Sequence, residues 1–428
     1  MSVRFCELKE LSLEELHTLC EKDNLPIGPR LICLSDLLRN TLNKNTTIIF
    51  DGFLEINGTW GLLRDINNNF LPCPYDVYIS QKMIKDFDLR SGDHIVGEIS
   101  IRTNDEKKSL HMHKILNVNG LNPPIRRYFF DDLTASYPTE QIMLGNNVDN
   151  IKKNHDYNAS RFIDLIAPIG FGQRVQITAQ PKTGKTTILH AIASSILQNY
   201  NDVCLIILMV GERPEEVKEF SKIIEFNKKK YNRTEVDIFF STFDKSEEEQ
   251  IRVCEMTIAL AKRKVERNKK VVLLIDSLTR LARAYNIVVP SSGKVLSGGV
   301  DPLALQKVKR IFGMARNTEN GSLTIIATCL RDTGSRADDL IFEEMKGTSN
   351  CDIVLSKEIA EKDIFPAINI QSSGTRRSEN MMEEHNYFKL KVIKSFLSNM
   401  DAIEGTKFLN SRINSTENNQ MLINTLQR

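Results

Sequence analysis

Residues Gln173 to Thr187, QRVQITAQPKTGKTT, place a strand, a phosphate loop and a helix start in unbroken succession, an order that few folds accommodate. Val175 to Thr178 is short and rich in β-branched residues. Pro181 and Gly184 interrupt regular structure, and Ile188, Leu189, Ile192 and Ile196 then recur at helical spacing. In loops of this pattern, backbone N–H groups and the helix N-terminus face phosphates, a lysine reaches the β/γ-phosphates and a Ser/Thr hydroxyl holds Mg²⁺. Gly184, Lys185 and Thr186 occupy those positions. Ala179 stands where the strict pattern has its first glycine, a weaker fit because alanine tolerates positive φ poorly. The flanking strand and helix distinguish the stretch from an ordinary glycine-containing strand-to-helix turn.

The surrounding chain, from Tyr157 to the C-terminus, alternates buried-strand runs with helical patterns. The runs are Val175–Thr178, Val203–Val210, Val236–Thr242, Val271–Asp276, Leu323–Thr328 and Asp352–Ser356. Near-continuous apolar strands joined by helical crossovers predict an α/β fold whose parallel sheet is covered on both faces. Two runs end in acids. Asp276 closes VVLLID, where a carboxylate can hold Mg²⁺, and Glu212 follows Val210-Gly211, where it can polarise an attacking water. Either acid also reads as a helix N-cap or first-turn charge.

Ahead of this region the texture changes twice. Residues 1–45 form a small helical unit, with Ser12 and Glu15 as a capping box, a break at Pro26-Ile27-Gly28-Pro29, and Ser35 as cap of a second helix. Residues 46–121 predict five short strands between turn residues, as in a small OB-type barrel. Residues 122–156, polar and opening on Pro123-Pro124, read as a linker to a domain spanning 157–428. The barrel holds the only Trp, Trp60, with Tyr78 one strand later. Trp60 is either a stacking platform for single-stranded bases or a core aromatic. Charge does not choose between them: residues 1–121 are slightly acidic, the net charge of the 428-residue chain is only +2, and binding would rest on individual groups such as Arg64 and Lys107. No apolar run reaches the ~18 residues of a membrane span, and the charged start, Met1 to Lys9, lacks a signal peptide's apolar core, so a cytoplasmic protein without membrane attachment is expected. Eight Cys without C-x-x-C spacing point to reduced thiols and no structural zinc.

Longer motifs identify a family. The run Asp276-Ser277-Leu278-Thr279-Arg280-Leu281-Ala282-Arg283-Ala284-Tyr285-Asn286, the segment Ser292 to Asp301, Glu212-Arg213-Pro214-Glu215-Glu216-Val217, Asp332-Thr333-Gly334-Ser335 and Ser373-Gly374-Thr375-Arg376 closely resemble the Rho family of bacterial transcription termination factors. The resemblance covers nearly the whole chain and fades after about residue 410. It implies a homohexameric RecA-type ATPase domain, preceded by the helical unit and a cold-shock-like OB barrel. The implied activity is RNA-stimulated ATP hydrolysis that drives 5′-to-3′ translocation along nascent single-stranded RNA and releases the transcript from RNA polymerase.

The resemblance also implies roles. Gly170, Phe171, Gly172, Gln173, Arg174 and Val175, with Lys182, Thr183, Gly184, Lys185, Thr186, Thr187 and Arg213, would form the ATP site, and Phe365 would pack on the adenine. Glu212 would be the catalytic carboxylate, Lys185 and Arg213 would assist, and Thr186 and Asp276 would hold Mg²⁺. Arg376 matches an arginine finger supplied to a neighbouring subunit, the alternative being a solvated surface arginine. Trp60, Arg64 and Tyr78 match the primary RNA site, and Lys294, Val295, Leu296, Ser297 and Gly298 match a channel loop. Arg336 stands where a second channel loop usually presents Lys. Three further positions depart from the family: Leu62 replaces a second aromatic, Asp363 a basic residue, and Lys108 an aromatic. Competing readings are a hexameric RecA-type motor acting on DNA or in protein export, and a non-enzymatic RNA-binding protein. Intact Lys185, Thr186, Glu212 and Asp276 argue against the last.

Overall fold

The computed structural model describes residues 2–44, 46–102, 109–123, 127–145 and 155–425; Lys107 and Lys108 lie outside the described residues, as do parts of the 122–156 segment. The chain forms two compact units, residues 1–128 with 252–263, and residues 129–251 with 264–428.

In the first unit, strand β1 (Ser2–Arg4) pairs in parallel with β2 (Thr47–Asn57), which is followed by β3 (Trp60–Arg64), β4 (Val77–Ile79), β5 (His94–Arg102) and β6 (Ser109–Val118). The order β2-β3-β4-β6-β5 closes into a barrel because β5 returns to pair with β2. Alternation does the folding: in β2, Ile48, Phe50 and Leu54 point inward between more exposed neighbours. At Gly97, beside a bulge in the β5–β6 ladder, a Cβ would collide with the Lys114 carbonyl. The helices Phe5–Glu10, Leu13–Lys22 and Arg30–Asn43 share one core with the barrel, joining Leu16, Cys20, Leu34 and Leu38 to Leu54 and Ile95. Phe5 stacks on Phe50 at 5.0 Å. The capping box forms as expected, with Ser12 and Glu15 exchanging both bonds. Ser35 is not a cap. The helix already starts at Arg30, after Pro29 with φ −56°, so Ser35 is interior and buried.

The second unit is a doubly covered sheet of β7 (Arg174–Ala179), β8 (Val203–Glu212), β9 (Val236–Thr242), β10 (Lys270–Asp276), β11 (Arg316–Asn317), β12 (Ser322–Leu330), β13 (Cys351–Val354) and β14 (Gly374–Thr375). Its order is β14-β13-β7-β12-β10-β8-β9, with β11 on β12, and the six strands from β13 to β9 in that order are parallel. All ten residues of β8 are buried, which explains its unbroken apolar pattern. Helices such as Lys185–Asn199, Pro214–Lys230 and Leu278–Val288 provide crossovers. The chain leaves β7 toward β8 on one side, while β13 lies on the other. That reversal opens a crevice at the carboxyl ends of the strands. Among the described residues no helix is long and apolar enough to cross a membrane.

Candidate nucleotide and RNA sites

The carboxyl ends of β7, β8 and β10 converge on one ammonium group. Lys185, first residue of its helix, places Nζ 2.9 Å from Glu212 Oε1 and 2.6 Å from Asp276 Oδ1. The loop before it turns through positive φ at Lys182 (66°) and Gly184 (84°), and the Thr183 hydroxyl donates to the Gln180 carbonyl at 2.8 Å. Ala179 is the last residue of β7 and has no positive φ, so the missing first glycine costs the loop nothing. Thr186 and Thr187 follow on the first helical turn. A Cβ on Gly184 would lie 3.4 Å from the Phe365 ring, which puts that aromatic directly beside the loop.

Burial sets the electrostatics. Glu212 is 1% exposed; burial first, then the Asp276 charge, push its carboxyl above the ordinary range against the pull of Lys185 and Arg280. Burial alone would lower Lys185, but the two carboxylates outweigh it and hold the ammonium above its ordinary value. Two residues with no role in the sequence reading complete the cluster. Arg280 donates to the Gly211 carbonyl at 2.5 Å and lies 3.3 Å from Glu212 Oε2, while the Thr328 hydroxyl donates to Asp276 Oδ1 at 2.7 Å. Their signal was faint: Arg280 follows Asp276 by four residues, and Thr328 is a polar residue near the end of an apolar strand. Arg213 is exposed, at the position before its helix without a side-chain capping bond, and 3.9 Å from Glu216.

Gly170 to Val175 do not join this cluster within the chain. They precede or begin β7, whereas the phosphate loop follows its other end. The Gly172 N–H donates to Thr324 Oγ1, and the Arg174 guanidinium donates to the Thr348 and Ala315 carbonyls. Arg376 shares their end of the sheet. Its N–H donates to the Asn350 carbonyl, and the Asn350 N–H donates to the Arg174 carbonyl. Five residues at about 3.3 Å separate Arg174 from Ala179, so Arg376 sits roughly 16 Å down the sheet from the start of its own loop. Burial, then the charges of Arg376 and Arg316, hold the Arg174 guanidinium below its ordinary range.

On the barrel, Trp60 is 39% exposed and stacks on Tyr78 at 5.8 Å with an interplanar angle of 23°. That exposure supports the stacking reading over the core one. Leu63 points into the core, so Trp60, Leu62 and Arg64 share the other face. Arg64 is nevertheless buried, 2.6 Å from Glu55 and paired with Asp76. Burial, opposed by Arg64, pushes the Asp76 carboxyl up to about 6. The Arg64 charge is thus already balanced by carboxylates. Replacing Trp60 with alanine is expected to weaken RNA binding by about 1–3 kcal/mol, the cost of one stacked base, with an unchanged thermal midpoint. A large drop in that midpoint with unchanged affinity of the folded fraction would return Trp60 to the core.

The segment from Lys294 to Gly298 is exposed, Val295 at 70%, and it meets the start of the helix Arg336–Lys346. A Cβ on Gly298 would lie 2.5 Å from the Ala337 nitrogen. The two loop segments singled out in the sequence are therefore neighbours, and Arg336 between them is exposed.

A nucleotide loop on a parallel sheet, following a barrel on which exposed Trp60 stacks on half-buried Tyr78, points to a RecA-like ATPase with an RNA-binding domain. Residues 159–375 match the ATP synthase alpha/beta family nucleotide-binding domain, and residues 50–124 match the Rho termination factor RNA-binding domain. The chain is 42% identical to transcription termination factor Rho of Neisseria gonorrhoeae over 96% of its length and 97% of the relative's. It is 41% identical to that of Thermotoga maritima over 100% and 97%. Among solved structures, the type III secretion ATPase EscN of enteropathogenic E. coli aligns with TM-score 0.57 at 20% identity, covering 88% of this chain and 98% of that one. A second type III secretion ATPase aligns with TM-score 0.54 at 24% identity, covering 74% and 89%. At such identities these two show the shared fold alone. The chain belongs to the transcription termination factor Rho family. It is an ATP-hydrolysing, RNA-binding enzyme of transcription termination, and the export-motor and non-enzymatic readings fall away.

Proposed function

We propose that six copies of this chain form a ring in the cytoplasm that captures nascent single-stranded RNA on the Trp60–Tyr78 face. The ring hydrolyses Mg²⁺-bound ATP between subunits, translocates 5′ to 3′ and releases the transcript from RNA polymerase. The observation that carries the ring is the separation of Arg376 from its own phosphate loop: an arginine at the far end of the sheet serves a nucleotide only if a neighbouring subunit brings that end to it. Arg174 and the Gly170–Val175 segment share that end and would face the same neighbour.

Within the site, the Gly184–Thr187 backbone and Lys185 would receive the phosphates, Phe365 would pack against the adenine, and Arg213, exposed at its helix start, would reach the nucleotide from solvent. The Thr186 hydroxyl and Asp276 carboxylate are hard oxygen donors that would hold Mg²⁺, which would supply neutralisation of the phosphate charge. Glu212 accepts the proton of the attacking water. Its raised proton affinity favours that transfer, and Arg280 fixes its orientation. Lys294 to Gly298 and Arg336 would line the central channel and couple RNA to this chemistry.

The test is RNA-stimulated hydrolysis. Wild-type protein should turn over ATP faster with pyrimidine-rich single-stranded RNA than with single-stranded DNA of the same sequence. The Arg336→Ala variant should retain RNA on the barrel yet lose the stimulation. Full stimulation in that variant would overturn the channel role, and equal stimulation by DNA would overturn the RNA motor.

A further inference from the structure

The aromatic face of the barrel does not end at Tyr78. In the ladder, Leu62 on β3 stands directly opposite Tyr78 on β4, and Tyr78 stands directly opposite His111 on β6. The Tyr78 and His111 rings are 4.9 Å apart at 56°, close to the spacing of neighbouring strands. On β6, Leu110 and Met112 are buried, so His111 between them faces outward with Tyr78 and Trp60. Three rings on three adjacent strands thus make one row, Trp60 to Tyr78 to His111. The Ser109 hydroxyl lies 2.9 Å from His111 Nε2 and pins the imidazole, which reduces the conformational entropy that a ligand would otherwise have to quench.

We propose that His111 is a third stacking platform for single-stranded RNA, carrying the primary site across β4 onto β6. The inference rests on the reading of the Trp60–Tyr78 face as the RNA face. Leu62 offers a base no π-surface on one side of Tyr78, and the histidine offers one on the other. A base displaced from Leu62 therefore finds its next ring toward β6, and the RNA path runs across the strands. Stacking of this kind tolerates any base, since every base has a π-face. His111 accordingly adds affinity without choosing sequence.

The experiment measures binding of a short fluorescent oligocytidylate to the full-length protein without nucleotide, alongside its thermal midpoint. His111→Ala should weaken binding about fivefold or more, the lower end of the loss for one stacked base, with the midpoint unchanged. His111→Phe should restore affinity to within about twofold of wild type. Wild-type affinity in His111→Ala, with the expected loss in Trp60→Ala, would end the row at Tyr78 and overturn the inference. Equal loss in the Ala and Phe variants would do so too, as would a lowered midpoint with unchanged affinity of the folded fraction. If Trp60→Ala also bound normally, the RNA face itself would be wrong, and the inference would fall with it.

Discussion

Replacing Lys185 with alanine is expected to abolish ATP hydrolysis, by at least about 10³-fold, while single-stranded RNA remains bound to the barrel. Two separate effects combine. On the proposed site, the substitution would remove the charge that stabilises the γ-phosphoryl group in the transition state. It also removes the cation between Glu212 and Asp276, which are 1% and 4% exposed. Two buried carboxylates without that cation repel, and the pair relieves the repulsion by binding a proton. Glu212 already has its proton affinity raised by burial and by Asp276, so it is the carboxyl driven further up, and a protonated Glu212 cannot serve as base. RNA retention is expected because the aromatic row belongs to the other folding unit, with its own core. Parallel assays of ATP turnover and RNA filter binding check both halves. Near-normal turnover in the purified variant would refute the assignment of the site.

Local sequence carried the parts of the site that are contiguous in the chain. The strand, loop and helix around Gly184 follow one another directly, and the acids Glu212 and Asp276 end strands whose burial shows as unbroken apolar runs. What escaped depends on contacts across the sheet. Arg280 and Thr328 steady the two acids from a helix and from β12, and a single polar residue at those places has no local signature. Trp60 was ambiguous because WGLLR does not alternate cleanly. Only the pairing of β3 with β2 and β4 fixes which face is inside. The pairing of Arg64 was hidden because its carboxylate partners, Glu55 and Asp76, come from a neighbouring strand and from the segment before β4. Gly170 to Val175 adjoin the loop in sequence, yet β7 carries them to the opposite end of the sheet, a separation that nearness in the chain conceals.

That same end of the sheet carries the other large effect: Arg376→Ala protein should bind ATP and RNA but hydrolyse about 10³–10⁵-fold more slowly, the range for an arginine supplied to a transferring phosphoryl group. The loop is built to hold this residue. Lys394 donates to the Ser373 carbonyl at 2.6 Å, and β14 pairs with β13 through Thr375 and Cys351, so the backbone leading to Arg376 is tied on both sides while its side chain stays exposed. A merely solvated arginine would cost little when removed. Mixing provides the decisive measurement. Arg376→Ala subunits retain an intact phosphate loop, and Lys185→Ala subunits retain Arg376, so under the proposed trans arrangement a mixed interface can unite the two intact halves, which neither variant contains alone. Activity should therefore reappear in the mixture once subunits exchange. If it does not, with exchange demonstrated by fluorescence transfer between labelled subunits and single repaired interfaces shown to be competent, Arg376 does not act on its neighbour.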